Sequence, residues 1–172
     1  MVWSRLALVL GLTVAASVLA AVPDGLARLD RFARETAPRC ASIPATSCFE
    51  AGFRFVDADA TGGLSRRELD GLRRDLLDWT KRNREQLAAA DRQGILATLA
   101  VIELAGFENL FVSYDTDGDG ELRRRELLAD VRLDERPLPQ LVADPRVVDW
   151  DRLRQRLGPA ALLLDQLRPA RG

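Results

Sequence analysis

Twelve consecutive residues, 115–126, constrain this chain more than any other feature of its sequence. They read Asp-Thr-Asp-Gly-Asp-Gly-Glu-Leu-Arg-Arg-Arg-Glu, with carboxylates at positions 1, 3, 5 and 12 and a glycine at position 6. A hard divalent cation needs several oxygen ligands on a small sphere, and this spacing supplies them when the backbone curls around the ion. The alternative is an acidic turn between two helices that holds no ion.

Residues 57–68 repeat the same frame upstream. They read Asp-Ala-Asp-Ala-Thr-Gly-Gly-Leu-Ser-Arg-Arg-Glu, and Phe53 precedes them at the same offset at which Phe111 precedes the other segment. One difference matters, because position 5 is the neutral Thr61 where the downstream segment has Asp119. We therefore expect the upstream segment to bind a cation more weakly, and a segment that no longer binds an ion is the alternative.

Both segments resemble the calcium-binding loop of the EF-hand superfamily, over roughly residues 48–80 and 104–133. The resemblance implies two Ca²⁺ sites, the second of them stronger, with the position 7 carbonyl and a bidentate position 12 glutamate completing each shell. Gly120 would allow the sharp turn at position 6, and Ser65 would hold a bridging water. The ligands implied are Asp57, Asp59, Thr61, Gly63, Ser65 and Glu68 in the first loop, and Asp115, Asp117, Asp119, Glu121 and Glu126 in the second.

Apolar spacing outside the loops predicts an all-α fold. A helix is expected over residues 23–35, and Ser47 with Glu50 forms a capping-box pattern that would begin the helix entering the first loop. Leu64 and Leu122, at position 8 of the two loops, are suited to a short two-strand contact. The sequence therefore predicts paired helix–loop–helix units with extra N-terminal, inter-loop and C-terminal helices.

The two loops begin 58 residues apart (115 minus 57), a longer spacing than in ordinary paired EF-hands. The helix leaving the first loop is expected to reach about Trp79 or beyond. The extra residues, roughly 81–98, are helix formers interrupted by Gly94. They predict an added helix or a long extension of the neighbouring helices.

The C-terminal part is expected to be a helical extension over residues 144–168, after a linker at 134–139. Asp144 as N-cap and Pro145 at the first helical position favour a helix start. A last apolar helix over residues 160–167 is either an ordinary core helix or one that fills the groove that calcium opens in EF-hand pairs.

The first 21 residues are typical of an export signal. Arg5 precedes an apolar run from Leu6 to Ala20, and small residues mark a cleavage site near residues 20–22. An uncleaved signal anchor is the alternative, and only that case predicts membrane attachment. We expect residues 22–172 to form one domain in a secreted or periplasmic protein.

Export to an oxidising compartment would determine the redox state of the two cysteines. Cys40 and Cys48 are the only pair in the sequence, and an oxidising compartment favours a disulfide between them. Two buried free thiols are the alternative.

Composition argues against several classes of function. The chain has no histidine, which removes the usual general base, and no recognised catalytic motif, so we expect no enzyme. The formal net charge of −1 gives no reason to expect nucleic acid as a partner. The many arginines are interspersed with acidic residues and predict a solvated face; an acidic partner or anionic lipid is the alternative.

We therefore expect a calcium-binding protein with a structural or partner-binding role. The alternative is a calcium-dependent module that regulates one dedicated envelope or extracellular partner, and an enzyme of unrecognised type is a third hypothesis. Met1 is the only methionine, which argues against a sensor with a flexible methionine-rich surface.

Overall fold

The computed structural model describes residues 24–162, which are mostly helical and confirm the all-α prediction. The expected signal, residues 1–21, and the part of the C-terminal extension beyond Leu162 lie outside the described residues. Short 3₁₀ turns lie at Ala37–Ala41, Pro145–Val147 and Gly158–Ala160. The longer elements are α1 (Asp24–Glu35), α2 (Ala45–Val56), β1 (Leu64–Ser65), α3 (Arg66–Arg82), α4 (Ala89–Ala105), α5 (Phe107–Tyr114), β2 (Glu121–Leu122), α6 (Arg124–Leu127), α7 (Leu138–Val142) and α8 (Trp150–Leu157).

Two helix–loop–helix units face each other across a minimal sheet. The first unit is α2, loop 57–68 and α3; the second unit is α5, loop 115–126 and α6. Strands β1 and β2 pair antiparallel, with Leu64 opposite Leu122, and both leucines are buried. The predicted two-strand contact is therefore present, and it sets the two loops side by side.

Gly63 permits the close approach of the loops at this contact. A Cβ atom added there would lie 2.4 Å from Oε2 of Glu121, on the facing strand, and 2.7 Å from the Cβ of that residue, which cannot move without the backbone. A larger residue at position 63 would have to push the strands apart, so the pairing depends on this glycine.

The core around the units follows the apolar pattern of the sequence. Phe53 and Phe111 are buried on the equivalent turns of α2 and α5. Helix α1 packs along α3. The apolar stripe expected on it is Leu26, Leu29, Phe32 and Ala33, of which Leu26 and Leu29 are buried and the other two are half-buried. Helix α3 extends past Trp79 to Arg82, as expected.

The extra residues between the loops form an added helix, α4, rather than an extension of α3. A turn at residues 83–88 separates them, and Gly94 does not interrupt the new helix. Gly106, at a φ of +82°, joins α4 to α5. Within residues 24–162 no single helix is long and apolar enough to span a membrane; only α4 and α5 together meet that test, and they are bent by 84°.

The predicted start of α2 is wrong. The helix begins at Ala45 after Pro44, so Ser47 lies inside the helix and no side chain caps it. The backbone N–H of Ala45 donates to the Arg136 carbonyl at 2.9 Å, across a bridge between Pro44 and Pro137. The expected linker at 134–139 therefore supports the start of α2, and its last two residues form the beginning of α7 rather than a linker.

Helix α8 also begins later than expected. Asp144 caps only the 3₁₀ turn that follows it, by accepting from the backbone N–H of Arg146. Asp149 is the N-cap of α8 and accepts from the backbone N–H of Arg152 at 3.1 Å. Asp144, which is followed by Pro145, thus begins a 3₁₀ turn, and Asp149 begins the α-helix.

Asp130 anchors α8 to the second unit. It is 2% exposed, and its Oδ2 accepts from the Tyr114 hydroxyl and from Nε of Arg156, both at 2.8 Å. Arg156 also donates to the Ser113 carbonyl, and Nε of Arg152 lies 3.7 Å from Oδ1 of Asp130. A buried carboxylate is costly unless it is paired, so these contacts fix α8 beside α5. The backbone carbonyl of Asp130 also accepts from the N–H of Asp149 at 2.8 Å, which ties the chain after α6 to the start of α8.

The predicted disulfide between Cys40 and Cys48 is present and ties the 3₁₀ turn at Ala37–Ala41 to α2. Replacing both cysteines with serine should lower the free energy of unfolding by about 2–3 kcal/mol, because the unfolded chain gains the freedom of a short open loop. Urea unfolding of the variant and the unmutated protein measures the difference. A variant as stable as the reduced unmutated protein is expected, and one as stable as the oxidised protein would contradict the prediction.

Candidate metal centres

Each loop brings three carboxylates to one point. Oxygen atoms of Asp57, Asp59 and Glu68 lie within 4.8 Å of one another, and Asp115, Asp117 and Glu126 form the same arrangement. Calcium ligands lie at about 2.3–2.6 Å from the ion, so two oxygens on opposite sides of it are about 5 Å apart. Both groups therefore fit around a cation of that size.

Glu68 closes the first loop through hydrogen bonds to both of its ends. One carboxylate oxygen accepts from the backbone N–H of Ala58 at 2.7 Å, and the other accepts from the backbone N–H and the hydroxyl of Ser65 at 2.9 and 2.7 Å. The Ser65 hydroxyl in turn accepts from the backbone N–H of Glu68, which completes a capping box at the start of α3. Burial opposes ionisation of Glu68, but these hydrogen bonds outweigh it and lower the pKa of the carboxyl.

Glu126 closes the second loop in the same way. It accepts from the backbone N–H groups of Thr116 at 2.7 Å and of Arg123 at 2.9 Å. Glu126 is buried, yet these donors and the Thr116 hydroxyl outweigh the burial and lower the pKa of its carboxyl. The glutamate at position 12 therefore stays charged and aimed at the loop in both units.

The backbone of each loop curls around its first aspartate. Asp57 accepts from the N–H groups of Thr61 and Gly62 at 3.0 and 3.1 Å, and Asp115 accepts from those of Gly118 and Gly120 at 2.9 and 3.1 Å. The two position 6 glycines, Gly62 and Gly120, both have a φ of +84°, a value that disfavours residues with a Cβ atom. This is the sharp turn that the sequence predicts.

The remaining sequence-predicted ligands differ between the loops. In the first loop the Thr61 hydroxyl donates to the Gly63 carbonyl at 3.1 Å, so these two predicted ligand oxygens are adjacent. Ser65 is engaged by Glu68, as described above. In the second loop the backbone N–H of Glu121 donates to Oδ1 of Asp119 at 2.9 Å.

Asp119 is not part of the three-carboxylate group of its loop. Its Oδ2 accepts from the guanidinium of Arg123 at 2.7 and 3.2 Å, and this hydrogen bond is the main cause that lowers the pKa of Asp119. Sequence reasoning missed Arg123, which stands at position 9 where the first loop has Ser65. The four-residue spacing of opposite charges was the available signal.

A matched pair of arginines links the two units. Arg124 forms an ion pair with Glu50 at 2.8 Å and lies over the Phe53 ring, with 3.9 Å from its Cζ to the ring centroid. These two partners belong to the helix that enters the other loop.

The equivalent arginine of the first unit, Arg66, contacts the helix that enters the second loop. Arg66 pairs with Glu108 at 3.0 Å and lies 4.5 Å from the Phe111 ring centroid. Each arginine is at position 10 of its loop. The predicted arginine-rich face is thus salt-bridged as expected, but two of its members make specific contacts between the units.

The donors in both groups are oxygen atoms, and a histidine or free cysteine is absent, since the sequence has no histidine and both cysteines are bridged. Such donors suit hard cations such as Ca²⁺ and Mg²⁺ better than Zn²⁺ or Cu²⁺.

Position 4 differs between the loops in a testable way. Ala60 has a φ of +58°, where the second loop has Gly118 at +74°. Ala60→Gly should raise the free energy of unfolding by up to about 1 kcal/mol, because the relief of left-handed strain exceeds the added freedom of the unfolded chain. Ala58→Gly, in the same loop without a positive φ, is the control and should lower stability. Urea unfolding in the presence of a chelator measures both changes in the free energy of unfolding. Equal effects of the two variants would show that the backbone at Ala60 is not strained.

Comparison of the chain with protein-family models, with curated proteins and with solved structures finds no match in any of the three.

Proposed function

We propose that this chain is an EF-hand type calcium-binding protein that acts outside the cytoplasm, where calcium has a structural or partner-binding role. The observation that carries the proposal is the convergence of three carboxylates in each of two loops whose sequences share one frame. The paired strands β1 and β2 add support, because they hold both groups in one assembly.

Calcium suits these groups better than magnesium does. Glu68 and Glu126 each present a carboxylate that can bind through both oxygens, and calcium accepts such bidentate ligands in a flexible shell. Magnesium demands near-octahedral geometry and gives up its water reluctantly. In the structure, both oxygens of each glutamate accept hydrogen bonds from backbone N–H groups. To bind an ion through both oxygens, each glutamate must give up these hydrogen bonds.

The second loop is proposed as the stronger site. It offers Asp119 at position 5, where the first loop has the neutral Thr61, and a further carboxylate increases the attraction for a divalent cation. Arg123 opposes this advantage while it holds Asp119, so a bound ion must draw that carboxylate away from the guanidinium.

The proposed place of action is outside the cytoplasm, supported by the signal pattern of residues 1–21 and by the Cys40–Cys48 disulfide. A structural role is consistent with the abundance of calcium there. A non-enzymatic role is supported by the lack of histidine, since the clustered carboxylates are better explained as ligands than as an acid–base pair.

A second candidate is a calcium-dependent module for one dedicated partner. An apolar cavity of about 320 Å³ beside the second unit favours it. Phe111 and Tyr114, on the helix that enters the second loop, line the cavity, and so does Leu122, which belongs to that loop. A rearrangement of that loop would therefore change the cavity.

Calcium should raise the melting temperature of the purified protein, because it binds the native loops and not the unfolded chain. One site contributes about 2.7 kcal/mol at a hundredfold excess over Kd. Magnesium should raise the melting temperature less, and Glu126→Gln should remove most of the calcium effect. Glu121→Gln is the control, because it removes the same charge while the carbonyl at position 7 remains. Equal melting temperatures in calcium and in chelator for the unmutated protein would refute the proposal.

Calorimetric titration should resolve a tighter and a weaker calcium phase. Asp115→Ala should abolish the tighter phase and Asp57→Ala the weaker one. Arg123→Ser, which installs the residue found at position 9 of the first loop, should tighten the second site by freeing Asp119. Arg125→Ser removes the same charge from the same loop and leaves the Arg123–Asp119 ion pair in place, so it should have the smaller effect. Loss of the tighter phase in Asp57→Ala would reverse the ranking.

A further inference from the structure

The apolar cavity beside the second unit lies where four helices and β2 meet. Its lining comes from α3, α4, α5, β2 and α8 and includes Ile102, Phe107, Phe111, Leu122 and Leu157. The Tyr114 hydroxyl at its edge is already engaged by Asp130. A depression of this size with so few polar groups is suited to an apolar occupant.

The described chain ends at the wall of this cavity. Val101, Leu157 and Ala160 form a buried cluster, against which Leu110 and Leu153 pack. Four of these five residues also line the cavity, and Ala160 is the exception. Ala160 therefore packs against residues of the cavity wall, two residues before the described part stops at Leu162.

The sequence that follows carries the periodicity of a helix with one apolar face. Ala160 is 4% exposed and Leu162 is 76% exposed, so the last described residues already have an inner and an outer side. In a helix, positions three, four and seven residues after Ala160 share its side. Those positions are Leu163, Leu164 and Leu167, whereas Asp165 and Gln166 share the side of Leu162.

We propose that the apolar cavity is the docking site of this chain's own residues 163–167, with Leu163, Leu164 and Leu167 facing it. Four helical steps of 1.5 Å cover about 6 Å, so the three leucines fit within one such cavity. The direct connection through Ala160 gives the segment a high effective concentration at the cavity, which an outside ligand would have to exceed. Docking is expected whether or not the loops hold calcium, so the inference does not depend on the proposed metal binding.

The test uses the full chain with labelled leucine methyl groups. Docking predicts nuclear Overhauser effects from Leu163, Leu164 or Leu167 to the rings of Phe107 and Phe111, unchanged on dilution. The same measurement in calcium and in chelator separates this inference from metal binding. An absence of these effects in the folded, unmutated protein would overturn it.

Matched variants supply the second arm. Leu164→Ser should open the cavity and increase the fluorescence of a bound hydrophobic dye several-fold, whereas Leu162→Ser should leave it unchanged. Equal responses of the two variants would refute docking of the predicted face. Strong dye binding by the unmutated chain would show a cavity open to an outside apolar ligand. Contacts that vanish on dilution, with a dimer in sedimentation, would assign the cavity to the tail of a second copy.

Discussion

The antiparallel contact between Leu64 and Leu122 is the constraint on which the arrangement of both loops depends. Two residues on each side make a sheet that would not be stable by itself. It persists because both leucines are buried, and because Gly63 leaves room for Glu121. The helices thus stabilise the strands, and the strands in turn fix the distance and orientation of two acidic loops that are far apart in the sequence.

Within each loop the position 12 glutamate connects the loop to the helix that follows. Its hydrogen bonds to the first residues of the loop and to the helix N-terminus keep the ring closed by protein groups alone. A closed ring lowers the entropic cost of binding a cation, because the carboxylates already converge and need not be ordered by the ion. It also imposes a cost, since those same oxygens must leave backbone N–H groups to bind an ion. Affinity would depend on the balance of the two effects.

Much of this arrangement could be predicted from the sequence, because loop geometry and helix periodicity are local properties. The turn at Gly120, the stripe of α1, the strand contact and the disulfide follow from residues that are near in sequence or few in number. The start of α2 could not, because Glu50 is held by Arg124, 74 residues away, and not by Ser47. The position of α8 could not be predicted either, because Asp130 holds it through Arg156, 26 residues away. Calcium itself and the place of action stay predictions.

The two arginines at position 10 have a consequence for how the loops would fill. Arg124 of the second loop forms an ion pair with Glu50 on the helix that enters the first loop. Arg66 of the first loop forms one with Glu108 on the helix that enters the second loop. An ion that repositioned either exiting helix would therefore also act on the helix that enters the other loop. Coupling of this kind is reciprocal, so each loop would change the affinity of the other by the same factor. The binding curve of such a pair would be steeper or shallower than that of two independent sites, and the neutral Thr61 would not by itself determine when the first loop is occupied.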